Sequence, residues 1–391
     1  MKTSTSKRLR WNVAIWLAAG LFMTGAAGMA SGPIMPDPKA EARHQPQIEE
    51  TANGIPLVNI TAPSSGGVSR NEYETFNVPD KGAILNNSYT LSKTELAGYV
   101  QGNNNMAERP AKIIVNEVTG AGFTSMDGFL EVAGNRADVV IANPNGITVN
   151  GGGFINTGKA FLTTGKPVYD GEDHLQRFDI TGGDILIEGK GLGGKETESL
   201  AILSRAVKIN AGIWAEDLHI TTGANTVDAK TLEASAIEGK GGRPAFALDT
   251  AAIGGMYAGR ITLVGTEKGL GVNNSGTWSA EDNLTLDWNG DLKNSGTIYS
   301  KGNTDLRASR LENDKTIAAE RNLSAAAKEN IRNQGKLLAG ENMGIYAGKT
   351  LDNAGHAMES GNNLSIETGD AINNAAGTIK SGGSRLKRDM H

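Results

Sequence analysis

Asn274-Ser275-Gly276-Thr277 is followed nine residues later by Asn283-Leu284-Thr285-Leu286, and both stretches return down the chain. The first comes back as Asn294-Ser295-Gly296-Thr297, Asn333-Gln334-Gly335-Lys336 and Asn353-Ala354-Gly355-His356; the second as Asn322-Leu323-Ser324-Ala325 and Asn363-Leu364-Ser365-Ile366. Reduced to asparagines, one set is Asn274, Asn294, Asn313, Asn333, Asn353 and Asn374, at intervals of 19–21 residues. A second set, Asn283, Asn303, Asn322, Asn342 and Asn363, falls between them. A period near 20 with two asparagine turns describes one coil of two or three short strands. Such a coil cannot bury its apolar side chains alone; stacking coils about 4.8 Å apart closes their backbone hydrogen bonds. Equivalent asparagines then form ladders whose amides bond up and down the stack, and asparagine also tolerates left-handed backbone at tight corners. The expected fold is all-β: a right-handed parallel β-helix (solenoid) with ~20-residue coils. A leucine-rich repeat has a similar period but needs more leucine than these repeats carry.

Upstream of residue 264 the same texture continues without a strict period. Short β-type runs such as Ala111–Val115, Gly128–Val132, Ala137–Ile141 and Asp184–Glu188 each end in Gly, Asn or Asp, with prolines between runs. Glycine is abundant at 52 of 391 residues, aromatics make up 5% and hydrophobic residues 38%, which suits a narrow repeated core. At the N-terminus, Lys7-Arg8-Leu9-Arg10 precedes an uncharged apolar stretch, Trp11–Met29, that ends in small residues. This is the anatomy of a secretory signal peptide cleaved after Ala30; an uncleaved membrane anchor is the alternative. The division expected is a signal peptide (1–30), a flexible lead-in (31–53), a first β-rich domain (54–272), β-helix repeats (273–380) and an irregular tail (381–391). The tail fits no coil and shows no polar cap, which points to a truncated product.

Several stretches between Asn59 and Val272 resemble the secretion domain of two-partner-secretion exoproteins, the filamentous haemagglutinin and contact-dependent growth-inhibition family. They include Tyr73–Val78, Gly82–Ser88, Ile113–Val118, Gly254–Ile261 and above all Gly134–Ile147, which contains Asn143-Pro144-Asn145-Gly146-Ile147. The repeats after residue 270 look like that family's haemagglutinin repeats. Two departures stand out. The family's second motif, Asn-Pro-Asn-Leu, reads Asn103-Asn104-Asn105-Met106 here, and the positions of a cysteine pair found in some relatives hold Val149 and Gly152. The resemblance implies a secreted or cell-surface exoprotein of a Gram-negative bacterium. It would pass through the periplasm, be recognised by periplasmic domains of a dedicated outer-membrane transporter, and meet a cell-surface receptor. Both Asn motifs are candidates for transporter recognition, or only for stabilising a tight turn.

Other chemistry finds little footing. Removing the four cations of the first 30 residues takes the net charge from −5 to −9, so no nucleic-acid partner is expected. There is no cysteine, and His44, His174, His219, His356 and His391 lack metal-ligand spacing, so neither a metal nor a cofactor is expected. Gly189-Lys190-Gly191-Leu192-Gly193-Gly194 matches a dinucleotide fingerprint but lacks a βαβ context and reads as a turn. Glu172-Asp173-His174 reads as a solvated loop. Asp282, Asp287 and Asp291 do not recur at rung spacing, as a polysaccharide-cleaving β-helix would require. The function expected is therefore not enzymatic: export, followed by an adhesin-like stalk. The delivery stalk of a contact-dependent growth-inhibition toxin is the alternative, and a polysaccharide-active enzyme a remote one.

Overall fold

In the computed structural model, residues 33–106, 109–383 and 386–389 are described; the expected signal peptide, with its cleavage after Ala30, lies outside them. The chain forms a parallel β-solenoid with three strands per coil, one on each side of a triangular cross-section. In one coil these are Thr277–Ala280, Leu284–Trp288 and Leu292–Asn294. Each pairs in parallel with its equivalent in the next coil: Thr277 with Thr297, Leu284 with Thr304, Leu292 with Leu311.

Alternation fixes the packing. On each strand every second residue points inward, giving columns such as Trp278–Ile298–Ile317–Leu337–Met358 and Leu292–Leu311–Ile331–Leu351, all buried. One continuous core runs from Ile34 to Ile366. A single coil exposes most of its inward row, so each added coil buries apolar area and satisfies a set of backbone donors and acceptors.

The segment read as a flexible lead-in is ordered. Ile34–Pro36 pairs antiparallel with Val68–Phe76, and Gln47–Glu50 antiparallel with Pro56–Asn59. These two strands lie across the first coil and occupy edges that would otherwise template another chain. The other end also departs from expectation: Leu386–Asp389, assigned to an irregular tail, stacks in parallel on Leu364–Glu367.

Two antiparallel insertions decorate the solenoid. One is the hairpin Ser92–Thr94 with Gly98–Val100. The other is a four-stranded sheet of Lys166–Tyr169, Leu175–Ile180, Asn225–Asp228 and Ala234–Ala236. It covers outward residues Val115, Val140, Phe161 and Leu203 with Phe178, Ile180 and Val227, forming a second core outside the coil. The Gly189–Gly194 fingerprint leads into another solenoid strand, Leu192–Gly194, rather than a helix.

Candidate functional site

Asn143-Pro144-Asn145-Gly146 turns the corner between the strands Ala137–Ala142 and Ile147–Val149. Gly146 N donates to Asn143 O (3.1 Å), closing a tight turn in which Gly146 adopts φ +120°. Asn143 is fully buried. Its Oδ1 accepts from Asn145 N (2.9 Å), and its Nδ2 donates to Gly122 O and Thr124 Oγ1 (both 3.0 Å) in the preceding coil. Asn145 Nδ2 reaches back to Gly120 O (2.8 Å). Pro144 and Asn145 form the exposed edge of the turn, and Ile147 enters the core.

Asn103-Asn104-Asn105-Met106 builds the same device at another corner. Met106 N donates to Asn103 O (3.2 Å), and Asn103 Oδ1 accepts from Asn105 N (2.9 Å). Asn103 Nδ2 donates to Ile60 O (2.8 Å) and Asn86 O (3.0 Å), and Asn105 Nδ2 to Ile60 O (3.1 Å). Asn104 occupies the exposed place that Pro144 holds, and Met106 is fully buried in the core. The altered motif thus keeps the closing backbone bond, the Asn105 N to Asn103 Oδ1 bond and the anchors to neighbouring strands, but has no counterpart of the Asn145 Nδ2 to Asn143 Oδ1 bond (3.0 Å), no positive φ like that of Gly146, and no proline to restrict the unfolded chain. Asn104→Pro is expected to stabilise the protein by about 0.4–1 kcal/mol, measured as a shift in urea midpoint; destabilisation would show that the two turns differ in backbone.

The repeat asparagines separate into two ladders. In the first, Nδ2 of each donates forward to Oδ1 of the next: Asn274 to Asn294, Asn294 to Asn313 and Asn313 to Asn333 (each 2.8 Å), Asn333 to Asn353 (2.7 Å) and Asn353 to Asn374 (2.6 Å). Asn274 to Asn353 are buried. The second ladder is more exposed and runs the other way: Asn322 donates to Asn303, Asn342 to Asn322 (each 2.8 Å) and Asn363 to Asn342 (2.9 Å), while Asn283 Oδ1 accepts from Asn303 N (2.8 Å). None of these asparagines has positive φ; Asn156 is the one asparagine that does among the described residues. The corners select asparagine for its amide, which donates and accepts at once, not for left-handed backbone.

Sequence reasoning passed over a charged cluster under the N-terminal cap. Arg70 pairs with Glu72 (2.8 Å) and approaches Glu117 (3.6 Å), and His44 Nδ1 lies 3.1 Å from Glu72 Oε1. Glu172-Asp173-His174 is part of this assembly: Asp173 pairs with Arg43 of the cap (2.7 Å), pinning the cap to the inserted sheet. The signal was faint, because the partners lie up to 130 residues apart. Burial pushes the Glu117 carboxyl up to about 7, against the pull of Arg70. Such a group favours the fold when protonated; that contribution is complete below about 4.5 and is lost as pH rises through about 7. His219, buried and pushed down to about 4, works in the opposite sense: its contribution is complete above about 6.5 and lost as pH falls through about 4. Glu117→Gln should therefore gain stability relative to wild type progressively between pH 4.5 and 7, by up to about 3 kcal/mol. Urea titrations at several pH values check this, and a pH-independent difference would refute it.

Cap, three-sided solenoid and asparagine turns together define an extended β-solenoid module built for stacking. Comparison with known proteins makes the class specific. Residues 33–298 match the TPS secretion domain, and residues 299–355 and 344–389 match the haemagglutinin repeat. The chain belongs to the two-partner-secretion (TPS) secretion-domain family and is the N-terminal region of such an exoprotein. It is 42% identical over 298 residues to the toxin CdiA of Yersinia pestis, covering 70% of this chain and 9% of that protein. It is 38% identical over 354 residues to the 16S rRNA endonuclease CdiA of Enterobacter cloacae, covering 83% and 10%. The crystal structure of the filamentous haemagglutinin secretion domain matches with TM-score 0.56 and 26% identity, over 90% of this chain and 98% of that one. The chain spans about a tenth of the length of these CdiA relatives.

Proposed function

We propose that residues 33–298 direct export through a cognate outer-membrane transporter, whose periplasmic domains recognise the domain, and that the following repeats begin an adhesin-like stalk at the cell surface. The capped solenoid carries this reading. A chain threading a barrel must be unfolded, and coils that stack on the far side bury apolar rows and close backbone bonds, which makes return unfavourable without a nucleotide. The likeness to toxins named CdiA supports a second reading, in which the stalk delivers a contact-dependent toxin. Under either reading this region supplies transport and reach, not catalysis. A receptor at another cell surface is the implied distal partner, and nucleic acid is not.

The test is to express the chain with and without a two-partner transporter and to blot periplasm and medium. Transporter-dependent appearance in the medium is expected. Retention in the periplasm beside a transporter that exports its own substrate would overturn the export role. Growth competition between producing cells and unprotected siblings then separates toxin delivery from adhesion.

A further inference from the structure

Outward positions on a solenoid that no inserted sheet covers carry no core and are ordinarily polar. One register column breaks this rule. Phe129, Gly153, Gly193, Trp214 and Tyr257 occupy equivalent outward positions on five successive coils. Phe129, Trp214 and Tyr257 are 42%, 38% and 38% exposed. The Trp214 and Tyr257 rings lie 6.2 Å apart with planes 17° from parallel.

Glycines explain how the rings lie. A Cβ on Gly212 would fall 2.4 Å from the Trp214 ring, and one on Gly255 would fall 2.8 Å from the Tyr257 ring. Both rings therefore lie back along their own strands, over a glycine two residues upstream. On adjacent rungs they make a flat aromatic platform with outer faces in solvent. The Phe129 ring likewise lies over Gly153 of the next coil, at 2.4 Å from a Cβ built there. Beside Tyr257 the surface sinks into a depression of about 500 Å³ lined by Lys195, Glu216, Gly259, Ser279 and Glu281. Gly259 lies in this depression because the backbones approach closely there: a Cβ would fall 2.5 Å from Glu216 O.

We propose that this face binds a neutral, β-linked glycan lying along the solenoid axis. Trp214 and Tyr257 stack on pyranose faces, and Glu216, Ser279 and Lys195 bond the hydroxyls. The electron-rich face of an aromatic ring attracts the C–H bonds on the apolar face of a sugar. The rung spacing of about 4.8 Å is close to the length of one pyranose in an extended chain. A protein partner would more typically seat its aromatic anchors in water-excluding pockets, and this platform is open. The rim also chooses among glycans: Glu281 is paired with Lys301, and Glu216 faces outward near Lys195, so no cluster of free cations awaits a sulfated chain.

The test is calorimetric titration of the whole mature chain with chitotetraose and cellotetraose, with a heparin tetrasaccharide as the charged comparator. A neutral tetrasaccharide should bind with a dissociation constant of roughly millimolar order. Trp214→Ala and Tyr257→Ala, both outward and outside the core, should each weaken binding about tenfold while circular dichroism stays unchanged. The proposal is overturned if neither neutral sugar binds, if only the heparin fragment binds, or if both variants bind as wild type does. Transporter-dependent export is read separately, so failure here leaves the export reading standing.

Discussion

Asn313→Asp is expected to destabilise the solenoid by about 3–5 kcal/mol at neutral pH, although it changes no volume. Asn313 is fully buried, and its Nδ2 donates to Asn333 Oδ1 (2.8 Å), Lys336 O (3.1 Å) and Lys315 O (3.3 Å). A carboxylate would set an oxygen against those three acceptors. The Asn294 Nδ2 that now donates to Asn313 Oδ1 is the one group that would still suit it. Protonation restores a donor, so the new carboxyl should titrate well above the ordinary range in the fold. The deficit should then grow as pH rises from about 4 and shrink as pH falls. Urea unfolding at pH 5 and pH 8, referred to wild type at each pH, measures it. A difference below about 1 kcal/mol at pH 8, or one that ignores pH, would show that the ladder is not energetically closed. Asn322→Asp, on the half-exposed second ladder, serves as the control, with an expected cost under about 1 kcal/mol. Coils contribute by nearest-neighbour terms, so hydrogen exchange should show the loss concentrated around residues 294–333.

The same contrast explains what the sequence could reveal. The repeats were legible because each coil meets the same physical demands, so Asn274 to Asn374 and the inward columns recur at a fixed interval. The first half obeys identical packing rules, but its coils carry insertions such as Lys166–Ile180 and Asn225–Ala236, which erase the period while leaving the rungs intact. Its strands could be seen in the sequence, whereas their register could not. The cap escaped because Gly32-Pro33-Ile34-Met35-Pro36 has the composition of a loop. Its strands exist only because the first coil offers them edges. Arg70, Glu72 and Glu117 were invisible for a related reason: spacing along the chain does not report which outward residues an inserted sheet will cover. The direction of each asparagine ladder was likewise out of reach, since it depends on which side of the corner the amide enters.

Pro144→Ala and Asn143→Asp should separate the two roles open to the Asn143–Ile147 motif. Asn143→Asp sets a carboxylate against Gly122 O while keeping the contacts to Asn145, at an expected cost of roughly 2–4 kcal/mol. Pro144 is exposed at the turn's edge, and its replacement by alanine should cost only about 0.4–1 kcal/mol, through the unfolded chain. If the motif acts through its turn, export follows stability: Asn143→Asp appears poorly in the medium, and Pro144→Ala nearly as wild type. This ordering is the expected one, because Asn103 to Met106 closes a similar asparagine-anchored turn without proline. If a transporter instead reads the exposed edge, Pro144→Ala will block export while its urea curve scarcely moves. Asn104 would then mark a site where this chain has already given up part of that recognition. Pro144→Ala combined with Asn104→Pro decides between them: a turn mechanism predicts that the second change offsets the lost stability and that export stays at the wild-type level, whereas edge recognition at residue 144 predicts that export stays blocked in a protein as stable as wild type.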